Sequence, residues 1–125
     1  MFSSRKLFGK ATSAHFKLGD GQSPDFILKL TEPDKIARAR RILEGIDPPL
    51  HVTGIIVKES SCWNPNYSYH YDPSTVDFFE NSMEVCDASF QYVEQNLAEA
   101  GGAFLPNLRF CPWSSYLVEE INPSC

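Results

Sequence analysis

The stretch Cys62–Asp87 reads CWNPNYSYHYDPSTVDFFENSMEVCD, and the expected fold is built outward from it. Trp63-Asn64-Pro65 predicts a turn, because Pro65 fixes its own φ and pushes Asn64 toward extended backbone. Tyr67, Tyr69 and Tyr71 alternate with Ser68 and His70, which is the period of a strand. Asp72-Pro73 stops that strand. Val76–Phe79 reads as a short strand, and Glu84 or Asp87 begins a helix. Aromatic rings, an imidazole, several carboxylates and two cysteines are thus concentrated in one segment. That composition suggests a site without naming a reaction.

Immediately upstream, His51–Lys58 is the clearest strand, rich in β-branched residues. Its apolar pair Ile55-Ile56 predicts burial on both faces, as in a central strand, and Gly54 marks a bulge or the close approach of a helix. Before it, Ile46-Asp47-Pro48-Pro49 is a stiff connector. A helix precedes the connector, with Thr31 as its expected cap, Pro33 in the first turn and Asp34 at the positive end of the dipole. Ile36, Ala39 and Leu43, with Ile42 beside them, form one apolar stripe, and Gly45 ends the helix. Lys35, Arg38, Arg40 and Arg41 form a basic patch, read either as a solvated face or as a partner-binding one.

Ala14–Leu18 and Asp25–Leu30 flank the turn cluster Gly19–Pro24 and predict a hairpin. Residues 1–12 read as a loose arm. Downstream, Ala88, Val93 and Leu97 mark a second helix that Gly101-Gly102 would close. Ala103–Asn107 reads as a loop and Leu108–Ser115 as irregular. Tyr116–Ile121 is a last strand or helical turn. The order predicts an α+β fold, one globular domain over residues 1–125, with an antiparallel or mixed sheet of about four strands packed against two helices.

With 42% hydrophobic and 13% aromatic residues in 125, the chain can bury a core without relying on disulfides. Its net charge of −5 argues against nucleic acid as a partner, and no apolar run reaches the roughly 20 residues of a membrane span. The first residues, Met1–Phe8, lack the apolar stretch and cleavage pattern of a signal peptide. Four cysteines permit two disulfides in three connectivities, and none is spaced as C-x-x-C. In an oxidising compartment the expected pairs are Cys86 with Cys111 and Cys62 with Cys125, which would favour an extracellular location; in the cytosol all four would be buried thiols. Asn66-Tyr67-Ser68 is a glycosylation sequon, relevant only to a secreted chain.

Several motifs together resemble a known family. They are His51-Val52-x-Gly54-x-Ile56-Val57-Lys58, Pro65-x-x-Ser68-x-His70-x-Asp72-Pro73, Phe78-Phe79-Glu80, Glu84-Val85-Cys86-Asp87-Ala88, Gly101-Gly102-x-Phe104-Leu105-Pro106 and Cys111-Pro112-Trp113-Ser114-Ser115. Over about residues 26–119 the chain resembles a small domain of the calmodulin-binding-protein-related family of slime-mould type. The resemblance implies a single small domain that binds protein, with calmodulin or a related target as partner, and it carries over no catalytic set. Cys86 and Cys111 lie inside the shared motifs whereas Cys62 and Cys125 lie outside, which makes the first bridge the firmer expectation.

Three chemistries can be read on the residues themselves. His70 and Asp72 would share a strand face, so Asp72 can orient the imidazole as a general base in a small hydrolase. The nucleophile would be Ser68, Ser114, Ser115 or a cysteine, none of them on a G-x-S-x-G elbow. As structure, His70 is a satisfied half-buried side chain and Asp72 an Asx turn before Pro73. His15, His51 and His70 have no metal-ligand spacing, and no cofactor is expected. Finally, Cys111-Pro112-Trp113-Ser114-Ser115 reads as a disulfide-pinned loop, the way many proteinase inhibitors present a strand-like segment. Cys62-Trp63-Asn64-Pro65-Asn66 is a second such loop. The leading expectation is therefore a non-catalytic protein-binding module, most concretely a proteinase inhibitor, contacting a protease or a calmodulin-like target through Trp63, Asn64, Pro65, Tyr69, Pro112, Trp113 and Ser114.

Overall fold

The computed structural model describes residues 12–82, 84–123 and 125; the arm expected over residues 1–12 lies outside them apart from Thr12. Strands β1 (Ala14–Gly19) and β2 (Phe26–Leu30) form the expected hairpin, in register from Ala14 opposite Leu30 to Leu18 opposite Phe26. Alternation buries Ala14, Phe16 and Leu18 on one face of β1. The turn between the strands is organised by Asp20, whose carboxylate accepts the Gln22 and Ser23 amides and the Ser23 hydroxyl. The last strand, β9 (Tyr116–Ile121), joins the other edge of β1 and completes a three-stranded antiparallel sheet in the order β2-β1-β9.

Helix α1 (Pro33–Leu43) follows β2. Its cap is Glu32, with no side-chain capping bond, and not Thr31. The reason is local: Pro33 at the first helical position holds Glu32 extended, so the boundary falls one residue later than the hydroxyl suggests. Ile36 and Ala39 are buried, and Ile42 and Leu43 pack partly buried against the core. At the C-terminus Gly45 adopts φ 79°. Its amide bonds to the Ile42 carbonyl while the Ile46 amide reaches Arg41, a Schellman closure that glycine accommodates without strain.

Strand β3 (His51–Val57) is the centre of a four-stranded antiparallel sheet. It buries one face only, alternating along its length, so the expected burial of both faces is corrected. Gly54 marks a close approach, but of a ring and not of a helix: a Cβ there would lie 2.8 Å from Cδ1 of Tyr71. One edge of β3 pairs with β4 (His70–Tyr71) and β5 (Asp77–Phe79). Between those strands, Asp72-Pro73-Ser74-Thr75 bulges out in a short 3-10 turn capped by Asp72. Across the gap the Thr75 hydroxyl accepts the Ile55 amide at 2.9 Å. The opposite edge pairs with β8 (Arg109–Phe110).

The second helix differs from expectation. Glu84–Cys86 is one 3-10 turn, and helix α2 runs only from Phe90 to Gln95, capped by the Ser89 hydroxyl on the Tyr92 amide. It ends at Asn96 and not at Gly101-Gly102, because Ala100–Gly101 forms β6 and pairs in parallel with β7 (Phe104–Pro106), a segment whose sequence reads as loop. The result is a small α+β domain whose strands divide between two antiparallel sheets and one parallel pair. Between them lies an aromatic core. Phe26 contacts Tyr67, Tyr69 and Tyr71 and stacks on Phe90 at 4.6 Å, while Phe110 stacks on Tyr71.

Candidate functional site

The Cys111–Ser115 segment is a closed turn bolted to β3. Cys86 and Cys111 are bridged, with Cα atoms 5.2 Å apart, and the Cys111 amide donates to the Cys86 carbonyl at 2.8 Å. The Ser115 amide and hydroxyl both donate to the Pro112 carbonyl, at 3.1 and 2.7 Å. That same hydroxyl accepts the Val52 amide, and His51 Nδ1 bonds to the Ser115 carbonyl. Asp87 fixes the tip by accepting the Trp113 amide at 2.8 Å. The segment is thus compact where a strand-like one was expected. Ser115 was a candidate nucleophile, yet its hydroxyl is engaged on both sides inside the fold. Pro112, expected at the surface, is buried and supports the turn from beneath. Ser114 is exposed and Trp113 half-buried. Trp113 Nε1 is buried and has no hydrogen-bond partner among the described residues.

The second expected loop, Cys62–Asn66, is pinned by the Cys62–Cys125 bridge, with Cα atoms 6.1 Å apart. Asn64 is a brace and not a contact residue. Fully buried, it accepts the Ile27 amide at 2.7 Å and donates to the Tyr69 carbonyl at 3.0 Å, which satisfies an otherwise open amide on the edge of β2. Tyr69 is also corrected: it is fully buried, and its hydroxyl donates to the Phe90 carbonyl. Burial alternates from Tyr67 to Tyr71 as in the expected strand, although only His70–Tyr71 pairs as one; the aromatic face is the inward one, since burying three rings gains far more than exposing them. Pro65 is exposed, and Trp63 lies half-buried between His15 and His70, edge-on to both at 5.8 and 5.2 Å. Its ring contacts therefore lie with β1 and β4, away from the Trp113 turn.

The residues of the hydrolase alternative are each bonded to other groups. His70 Nδ1 bonds to the Glu59 carbonyl. Asp72 accepts the Ser74 amide and hydroxyl, the Asx turn that its place before Pro73 suggests. Ser68 gives its amide and hydroxyl to Glu94. The histidines are dispersed as well: His15 and His70 flank Trp63, whereas His51 faces Phe79. Among the described residues no group of three His, Cys, Asp or Glu side chains could hold a metal ion. Burial, reinforced by the nearby Lys29 charge, holds the His15 imidazole below its ordinary value.

The basic patch on α1 is largely paired. Arg40 makes a bidentate contact with Glu120 at 2.9 and 2.8 Å, Arg41 meets Asp47 at 2.9 Å, and Lys35 reaches the Val76 carbonyl. Sequence reasoning missed an open cavity of about 300 Å³ beside the Cys86–Cys111 bridge, lined by Ile55, Val85, Cys86, Pro106, Asn107 and Arg109. The segment that supplies Pro106 and Asn107 turns through Leu105, Asn107 and Leu108, all at positive φ. Only Pro106-Asn107 signalled a turn there, because leucine is not a residue from which left-handed backbone is read.

A family model for the N-terminal domain of proteins related to calmodulin-binding protein 74 matches residues 12–124. Neither a curated protein nor a solved structure matches the chain.

Proposed function

The chain belongs to the family of N-terminal domains related to calmodulin-binding protein 74, and from that premise we propose that it is a non-catalytic module that binds another protein through the Pro112–Trp113–Ser114 turn. One observation carries this reading: Trp113 stands half-exposed on a turn fixed by a disulfide, by the bond of its own amide to Asp87 and by the bonds of Ser115 to Pro112. A rigid aromatic anchor loses little entropy on binding.

Calcium-loaded calmodulin, suggested by the family resemblance, is the first partner to test, and proteinases are the second. Calmodulin usually grips the apolar face of a basic amphipathic helix. Helix α1 has that pattern, but Ile36 and Ala39 are buried in this protein's own core, so the partner would meet the folded surface instead. A proteinase would likewise engage the closed turn as an aromatic knob, not as an extended substrate-like segment. Titration of both classes should find a partner for which Trp113→Ala costs about 2 kcal/mol or more, while His70→Ala leaves binding intact. Failure to bind either class, together with ester or peptide hydrolysis that His70→Ala abolishes, would establish the hydrolase reading instead.

A further inference from the structure

We infer that Asn66 is an acceptor for an N-linked glycan. Three independent features meet at this residue. The sequence supplies Asn66-Tyr67-Ser68, a sequon with no proline at its middle position. The fold then leaves Asn66 exposed on the turn after Pro65, while its neighbour Tyr67 is buried and anchors the turn by donating to the Pro24 carbonyl at 2.6 Å. Lastly, the two disulfides suit an oxidising compartment, where this modification takes place.

The bonding of Asn66 is compatible with substitution. Its carboxamide nitrogen makes one donor contact, to the Asp25 carbonyl at 3.0 Å. In the transfer, a bond forms between Nδ2 and the anomeric carbon of a lipid-linked oligosaccharyl diphosphate. The bond from that carbon to the phosphate oxygen breaks, the lipid diphosphate departs, and Nδ2 releases one proton to a base of the transferase. One N–H remains on Nδ2, enough to keep a bond to Asp25. Ser68, which the transferase reads before the chain folds, afterwards gives its hydroxyl to Glu94. A sugar rooted beside Pro65 would screen the Cys62–Asn66 turn from large partners and leave the Pro112–Ser114 turn open.

The test is secretion of the full chain from a eukaryotic host behind a cleavable leader, followed by peptide mapping before and after peptide N-glycosidase. The expected result is a glycan on Asn66, conversion of that residue to Asp on enzymatic release, and both disulfides intact. Asn66→Gln and Ser68→Ala should each abolish the glycan, and Ser68→Thr should retain it; Ser68→Ala keeps the asparagine itself, so loss of the glycan there reports the sequon and not the turn. Secreted, fully oxidised protein with unmodified Asn66 overturns the inference. So does a glycosylated chain whose cysteines are free or mispaired while the Ser68→Ala chain pairs them correctly.

Discussion

Asp20 shows how one side chain can join distant parts of a small domain. Besides closing the β1–β2 turn, its carboxylate accepts the Phe90 amide at 2.9 Å and so fixes the start of α2. Burial alone would raise its pKa, but the hydrogen bonds from Phe90, Gln22 and Ser23 outweigh that and hold it below the ordinary 3.8. A carboxylate depressed in the folded state stabilises the fold above its unfolded value, and that contribution is lost as pH falls through the folded one. Unfolding measured against pH should therefore show stability declining below about 3.8, with Asp20→Asn flattening the decline. At neutral pH Asp20→Ala should cost about 2–3 kcal/mol, since it strands several amides. His15 acts in the same direction at higher pH: its lowered value means that protonation, as pH falls below 6.5, opposes folding. Gly54 makes a different demand, for space. Gly54→Ala should cost about 1–3 kcal/mol by driving a methyl into the Tyr71 ring, and thermal melts would measure it.

At the scale of elements, burial and not capping chemistry decides what matters in α1. Ile36 is 2% exposed, so Ile36→Ala should cost about 2–5 kcal/mol. Thr31 is exposed and caps nothing, so Thr31→Ala should stay within about 0.5 kcal/mol. Denaturant melts that ranked the two alike would refute the placement of the helix. The helix pattern was legible because Ile36, Ala39 and Leu43 follow the period directly. The same period runs past the true end of the second helix. Leu97 continues the period of Phe90 and Val93 but opens a 3-10 turn beyond Asn96, and Ala88 precedes the Ser89 cap. Periodicity alone cannot show where the backbone leaves the helix to pair β6 with β7.

For the whole molecule, the two bridges brace different regions and should differ in lability. Cys62–Cys125 spans 63 residues and Cys86–Cys111 spans 25. Loop-closure entropy assigns them about 4 and 3.5 kcal/mol respectively. Access reverses that order. Cys62 and Cys125 are exposed, whereas Cys86 and Cys111 are 2% and 0% exposed. Under graded reductant with thiol trapping, Cys62 and Cys125 should be labelled first and the Trp113 turn should stay ordered. Simultaneous labelling of all four would mean that the domain opens as one unit.

The sequence by itself determined the α+β class, the β1–β2 hairpin, the position of β3, the stripe of α1 and the family. These follow from local period, turn chemistry and motifs, which need no knowledge of what lies across the core, whereas the cysteine pairing was settled only when the fold brought Cys62 to Cys125 and Cys86 to Cys111. Only the tertiary structure decided which way the aromatic residues face. Tyr67, Tyr69 and Tyr71 alternate equally well whether they look inward or outward, and it is Phe26, Phe90 and Phe110 from other elements that draw them in. Asn64 likewise reads as a turn residue until the open Ile27 amide of β2 arrives beside it. A side chain's role as brace or contact depends on groups distant in sequence, because burying a polar atom requires a partner, and the chain supplies that partner only by folding.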